Sequence, residues 1–147
     1  GASFSSKCYP AEKYSELIEK VDANFISIWG SSLEKELVEK MKILSPKLLI
    51  MKKLSLSALT SLISKVDLVI GSDTGPTHFA WALNIPSITL FGPTSGLRNT
   101  LSTKKNKIIE SESYVDPNKI NKKDFSIKNI KVDDIVKMSH SILESKL

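Results

Sequence analysis

Residues 66–94 read VDLVIGSDTGPTHFAWALNIPSITLFGPT. Two apolar runs, 67–71 and 87–92, have the length and continuity of strands buried on both faces. Between them, residues 76–83 have room for one short helix. A strand, a tight turn, a helix and a second strand make a parallel crossover unit, which places the turn at the carboxyl edge of a sheet. That turn carries Asp73, Thr74, Gly75, Pro76, Thr77 and His78.

Working outward, the same alternation repeats. The stretch 10–21 sets Tyr14, Leu17, Ile18 and Val21 on one helical face, with Pro10 suited to the first turn. Residues 24–29 read as a strand. A helix follows with Leu33, Leu37, Val38 and Met41 on one side, then a strand at 47–51. Ser55 is placed to cap a helix with Leu56, Leu59, Leu62, Ile63 and Val66 at helical spacing. After the opening stretch, a fifth strand falls at 107–111. A last helix begins near Val132 with Asp133 and Asp134 in its first turn, where the dipole favours them. The pattern predicts an α/β fold with a doubly wound parallel sheet, Rossmann-like in character. Residues 112–131 are polar and lysine-rich and read as a long surface excursion. The opening residues look like a strand-to-helix loop with no strand before it, so the chain is expected to be a fragment.

Composition narrows the function classes. The chain has 147 residues, 41% hydrophobic, enough for one domain with its own core. No apolar run reaches the roughly 18 residues of a membrane span, and no signal peptide is visible. Cys8 is the single cysteine, which excludes an internal disulfide and a thiolate metal cluster and suits a cytoplasmic setting. The formal charge of +5 is mild and suits an anionic ligand. Aromatic residues are not interleaved with the basic ones as in single-strand binders, so nucleic acid is not an expected partner. There is no P-loop, because the GSSLEK stretch at 30–35 lacks the second glycine and the Gly-Lys-Ser/Thr ending. No metal-ligand constellation is present; Asp73 and Glu34 are too few for one.

Two readings of the 73–78 turn stand on the residues alone. It is a helix start, with Asp73 or Thr74 capping, Gly75 turning and Pro76 in the first turn. It is also a phosphate site, because helix N-terminal amides bind anions and a glycine lets a ligand approach the backbone. Thr77 and His78 at the same mouth are explained only by the second.

The stretch 66–94 resembles the signature of glycosyltransferase family 9, the bacterial heptosyltransferases: a strand, Asp-Thr-Gly-Pro/Leu-x-His, an Ala-rich helix, a residue-Pro step, a strand and Phe/Tyr-Gly-Pro-Thr. The opening GASFSSKCYPAEKYSELI, residues 1–18, resembles the family's Gly-Ala-x-x-x-x-Lys-x-Trp-Pro loop and helix, with Tyr9 in place of the tryptophan. Together the two cover most of residues 1–95. The resemblance implies the carboxy-terminal, donor-binding half of a two-domain GT-B enzyme that transfers heptose from ADP-heptose to the Kdo/inner core of lipopolysaccharide with inversion. It implies no cofactor beyond the nucleotide sugar, and it puts the general base on the amino-terminal domain. The stretch WGSSLEKE, 29–36, is closer to the branch that adds the first heptose to Kdo. Kdo-lipid A would be met through the missing domain, at the cytoplasmic face of the inner membrane.

Carried over by position, the resemblance gives Asp73, Thr74, Gly75, Thr77 and His78 contacts to the diphosphate and heptose. It gives Lys7 the donor phosphates, with Ser3 and Ser6 as neighbouring hydroxyls, and it gives Glu34 the donor ribose. After FGPT the family commonly shows Asp-Pro, where this chain has Ser95-Gly96. Bland alternatives accompany each. Ser31 and Glu34 form a capping box, and most lysines are solvated. Trp29 and Trp81 are read as packing, His140 as surface, and Lys119, Lys122, Lys123, Lys128 and Lys131 as a solvated face, with attraction to anionic lipid as the minority reading. Rival functions are another GT-B enzyme, a nucleotide-sugar epimerase or a non-catalytic nucleotide-binding module.

Overall fold

The computed structural model describes residues 5–94, 103–112, 116 and 121–145. Five strands and five α-helices lie along them in the order α1 (Ala11–Lys20), β1 (Ile26–Ser27), α2 (Ser32–Leu44), β2 (Leu49–Ile50), α3 (Leu56–Ile63), β3 (Val69–Ser72), α4 (Gly75–Ala82), β4 (Ser87–Phe91), β5 (Asn106–Glu110) and α5 (Val132–Glu144). Short 3-10 turns cover Ser5–Lys7 and Ser126–Asn129. Every strand pairing is parallel. The strands fall into two groups, β1-β2 and β3-β4-β5, so the single expected sheet is found in two pieces.

β4 shows why the fold is layered. All five of its residues are buried, so both faces of the strand are covered. Ile88 and Leu90 point into a core shared with Tyr9, Leu17, Val21, Ile135 and Ile142, from α1, α5 and the segments leading into and out of α1. Ser87, Thr89 and Phe91 alternate to the other face, where Trp81 of α4 donates to Ser87 Oγ. α1 and α5 therefore lie on one side and α4 on the other. Burying each of these Leu and Ile side chains contributes about 1.5–3 kcal/mol. Tyr14 and Phe25 join this core to a second one of Ala11, Ile18, Val38, Met41 and Leu48 under α2. Lys20 also reaches Asp133 of α5 at 2.8 Å and Glu16 at 2.6 Å, but these pairs are exposed and weak.

One expectation needs correcting. The 112–131 segment is not wholly a surface excursion: Ile127 and Ile130 are 1% and 4% exposed and complete the main core, while Lys122, Lys123, Lys128 and Lys131 remain exposed. α3 forms as its spacing predicts, and it buries Ile63 while leaving Leu56 67% exposed.

The carboxyl end of β4 is fixed by a close approach. A Cβ on Gly92 would lie 2.6 Å from the Cβ of Ile127, so only glycine lets the chain turn over the Ser126–Asn129 segment. Ser72 of β3 pairs with Leu90 of β4, and the residues that follow on both strands emerge at one edge.

Candidate functional site

At that edge the structure assembles four side chains from separate places in the chain. The carboxylate of Asp73, immediately after β3, is the hub. Its Oδ2 accepts from Lys7 Nζ at 3.2 Å and from Thr94 Oγ1 at 3.2 Å, and its Oδ1 lies 2.9 Å from His78 Nε2. Lys7 also donates to the Asp73 carbonyl at 3.3 Å. An ionised carboxylate only accepts, so His78 carries its proton on Nε2 in this contact. Asp73 and Lys7 are 8% and 13% exposed, whereas His78 is 50% exposed. With both oxygens engaged, Asp73 is an organiser of neighbours and is not poised to accept a proton from a reactant.

The helix start is handled by another residue. Thr74 is the N-cap of α4, and its amide donates to Thr77 Oγ1 at 3.3 Å. Thr77 is 1% exposed, and its hydroxyl faces the carbonyls of Ser72 at 3.0 Å and Thr74 at 2.7 Å, one of which it satisfies at a time. The side chain of Thr77 thus shapes the turn from within. Gly75 faces outward: a Cβ added there would meet no atom within 4 Å. The first turn of α4 is open to a ligand at the point where its dipole is positive.

The loop before α1 supplies Lys7. It is held by the Cys8 amide, which donates to the Ser5 carbonyl at 2.9 Å, and by Tyr9, whose hydroxyl donates to the Ile130 carbonyl at 2.8 Å. Burial pushes the Tyr9 hydroxyl well above its ordinary range. Burial likewise raises Tyr14, with nearby Cys8 adding to the effect and Ser72 opposing it. Ser6 is fully buried, and its hydroxyl has no hydrogen-bond partner among the described residues. Ser3 lies outside the described residues, as do Ser95 and Gly96.

Glu34 sits at the start of α2. Its Oε2 accepts from the amides of Gly30 at 2.9 Å and Ser31 at 3.1 Å, while Ser31 Oγ accepts from the Glu34 amide at 3.3 Å. The capping box read from the sequence is therefore formed. The same carboxylate faces the Lys7 loop closely enough to raise the Cys8 thiol pKa, second to the effect of burial. Trp29 packs at the rim of the second core and donates to the Met51 carbonyl at 3.0 Å. His140 is exposed.

Of the sequence-derived residues, Lys7, Asp73 and His78 meet directly, with Thr74 and Gly75 beside them and Glu34 across the Lys7 loop. Thr94 was missed; the signal was its position just past β4, beside the strand that delivers Asp73. A separate groove of about 840 Å3 between α3 and α4, lined by Leu56, Thr60, Phe79 and Leu83 among others, holds no titratable side chain. Among the described residues there is no group of three potential metal ligands, and no helix long and apolar enough to cross a membrane.

This arrangement can grip an anion through one ammonium and the open end of a helix, with an imidazole beside them. Comparison with known proteins places it in a lineage. The family model for glycosyltransferase family 9 (heptosyltransferase) matches residues 1–128. The lipopolysaccharide heptosyltransferase 1 of Campylobacter coli is 38% identical over 148 residues, covering 94% of this chain and 43% of that protein. The fold matches E. coli heptosyltransferase WaaC, solved with ADP (TM-score 0.79, 19% identity, 97% of this chain and 42% of that one). WaaC with ADP-2-deoxy-2-fluoro heptose gives a TM-score of 0.75 at 19% identity, covering 96% of this chain and 41% of that one. A family 9 glycosyl transferase from Veillonella parvula gives 0.81 at 19% identity, covering 99% and 44%. The chain thus spans well under half the length of these relatives, and it belongs to glycosyltransferase family 9, the heptosyltransferases.

Proposed function

We propose that this chain is the nucleotide-sugar-binding half of an inverting transferase that moves heptose from ADP-heptose to the Kdo end of inner-core lipopolysaccharide. The observation that carries the reading is the Lys7–Asp73–His78–Thr94 cluster beside the open first turn of α4. Supporting it are the family membership and the names of two relatives, a lipopolysaccharide heptosyltransferase and an enzyme solved with ADP and an ADP-heptose analogue.

In this reading the donor diphosphate lies over Gly75, with Lys7 Nζ at its oxygens and His78 toward the phosphate–sugar linkage. Asp73 keeps both side chains in place. As the acceptor hydroxyl attacks, negative charge builds on the departing ADP, and fixed positive groups aimed at it lower the barrier without reorganising. Glu34 accepts from the ribose hydroxyls while capping α2. Ser6 lies buried in the loop that carries Lys7, and the main chain of Thr74 and Thr77 borders the phosphates. The base that activates the acceptor, and the acceptor site itself, belong to the remainder of the protein. The enzyme works in the cytoplasm, at the inner face of the membrane that holds its lipid acceptor.

The test is a transfer assay with the full-length protein, ADP-heptose and Kdo-lipid A, alongside competition by ADP and UDP. Heptose transfer inhibited by ADP and not by UDP is the expected result. Transfer from a UDP-sugar, or epimerisation without an acceptor, contradicts it. Residues 1–147 alone should bind ADP weakly and transfer nothing, because catalysis needs both walls of the cleft to align donor and acceptor.

A further inference from the structure

We propose that Trp81, anchored through Ser87 to Asn106, is the positioning residue that fixes the ring plane of His78. The proposal rests on the reading of His78 as a donor contact, and it adds a residue that no motif assigns. His78 is half-exposed, and its one hydrogen bond to a side chain among the described residues, at Nε2 to Asp73, leaves the imidazole free to turn about that axis. A second restraint comes from one helical turn further on. The indole of Trp81 lies against the imidazole with ring centroids 4.5 Å apart and planes tilted by 31°.

The indole is itself held in one orientation. Its Nε1 can only donate, and it donates to Ser87 Oγ at 3.1 Å. That hydroxyl has one proton of its own, which it gives to Asn106 Oδ1 at 3.1 Å. Ser87 and Asn106 are direct partners in the β4–β5 register and are 0% and 2% exposed. Each donor and acceptor along this line has a single sensible direction. Buried polar side chains on a strand face cost stability unless paired, and here the pairing terminates on the ring that faces His78. Asp73, with Lys7 on its far oxygen, holds one end of the imidazole; Trp81 holds its face.

The experiment compares Trp81→Leu, Trp81→Phe and Ser87→Ala in the full-length protein, each also on a His78→Ala background. His78 side-chain resonances are followed by NMR and ADP affinity by calorimetry. In Trp81→Leu the carbon-bound His78 protons should lose their ring-current shift, and ADP affinity should fall about three- to tenfold. Trp81→Phe should restore most of both, because it keeps an aromatic face. With His78 already removed, Trp81→Leu should cost nothing further. Ser87→Ala deletes only a hydroxyl and carries the test if Trp81→Leu fails to fold: it should give a smaller shift in the same His78 resonances. Equal losses of ADP affinity with and without His78 would overturn the proposal, as would His78 resonances unmoved by these variants. If the wild type binds no ADP, the donor-site reading falls, while the unliganded spectra still decide whether Trp81 orients His78.

Discussion

Two helices, α2 and α4, start at the same edge of the fold with nearly the same local device, and they use their carboxylates differently. At α2 the cap is Ser31 and the third helical residue is Glu34, whose Oε2 folds back on the amides of Gly30 and Ser31. At α4 the cap is Thr74 and the third residue is Thr77, which covers the Thr74 amide with a hydroxyl. The acid has moved one place before the cap, to Asp73. There it binds partners far away in sequence, Lys7 and Thr94, as well as His78. The lesson is positional: a carboxylate at the third helical position is tied first to its own helix and can meet a ligand only while capping, whereas one just before the cap is available to assemble a site.

Breaking the second arrangement should have the largest effect. Asp73→Ala removes the buried carboxylate on which Lys7, His78 and Thr94 converge, so it should destabilise the protein by about 2–4 kcal/mol in denaturant melts. Heptose transfer by the full-length protein should fall about a hundredfold or more. Were Asp73 merely a cap, the loss would be about 1 kcal/mol with transfer intact. Lys7→Ala comes next. It should weaken ADP binding about 10- to 100-fold while leaving adenosine nearly unaffected, since a charge-assisted contact to phosphate is lost. Raising the salt concentration should weaken ADP binding to the wild type more than to this variant.

Breaking the cap of the first arrangement should touch stability and leave the phosphate grip alone. Ser31→Ala should cost about 1 kcal/mol and leave the ratio of ADP to adenosine affinity unchanged. The smallest effect sharpens the contrast. Burial and the nearby Glu34 both raise the Cys8 pKa, so at neutral pH the thiol is protonated and should react slowly with thiol reagents. Glu34→Gln keeps an acceptor for the cap but removes the charge, which lowers that pKa. Labelling at fixed pH should then speed up, with its midpoint moved to lower pH. An unchanged rate would mean that Glu34 does not face the Lys7 loop.

Much of this was legible in the sequence for physical reasons. The helical spacing of Tyr14, Leu17, Ile18 and Val21 and the unbroken apolar run of β4 follow directly from burial, and the Ser31/Glu34 box is a local signal that needs no tertiary information. What could not be read depends on contacts between distant segments. Ile127 and Ile130 are isolated apolar residues in a lysine-rich stretch with no period, and only the packed core shows them as buried. Gly92 looks like an ordinary turn glycine until Ile127 is placed against it. Thr94 joins the site because β3 and β4 end side by side, a matter of register. For α3, helical spacing marks an apolar face without saying whether anything covers it.

The claim that Asp73 exists to hold a phosphate grip, and not to start a helix, is tested most directly by titrating ADP and adenosine into the wild type and Asp73→Asn. The amide keeps the size of the side chain and loses the charge that holds Lys7. The wild type should prefer ADP strongly, and in Asp73→Asn that preference should collapse by about tenfold or more while adenosine binding stays within about twofold. An unchanged preference for ADP, or equal loss for both ligands, would contradict the account.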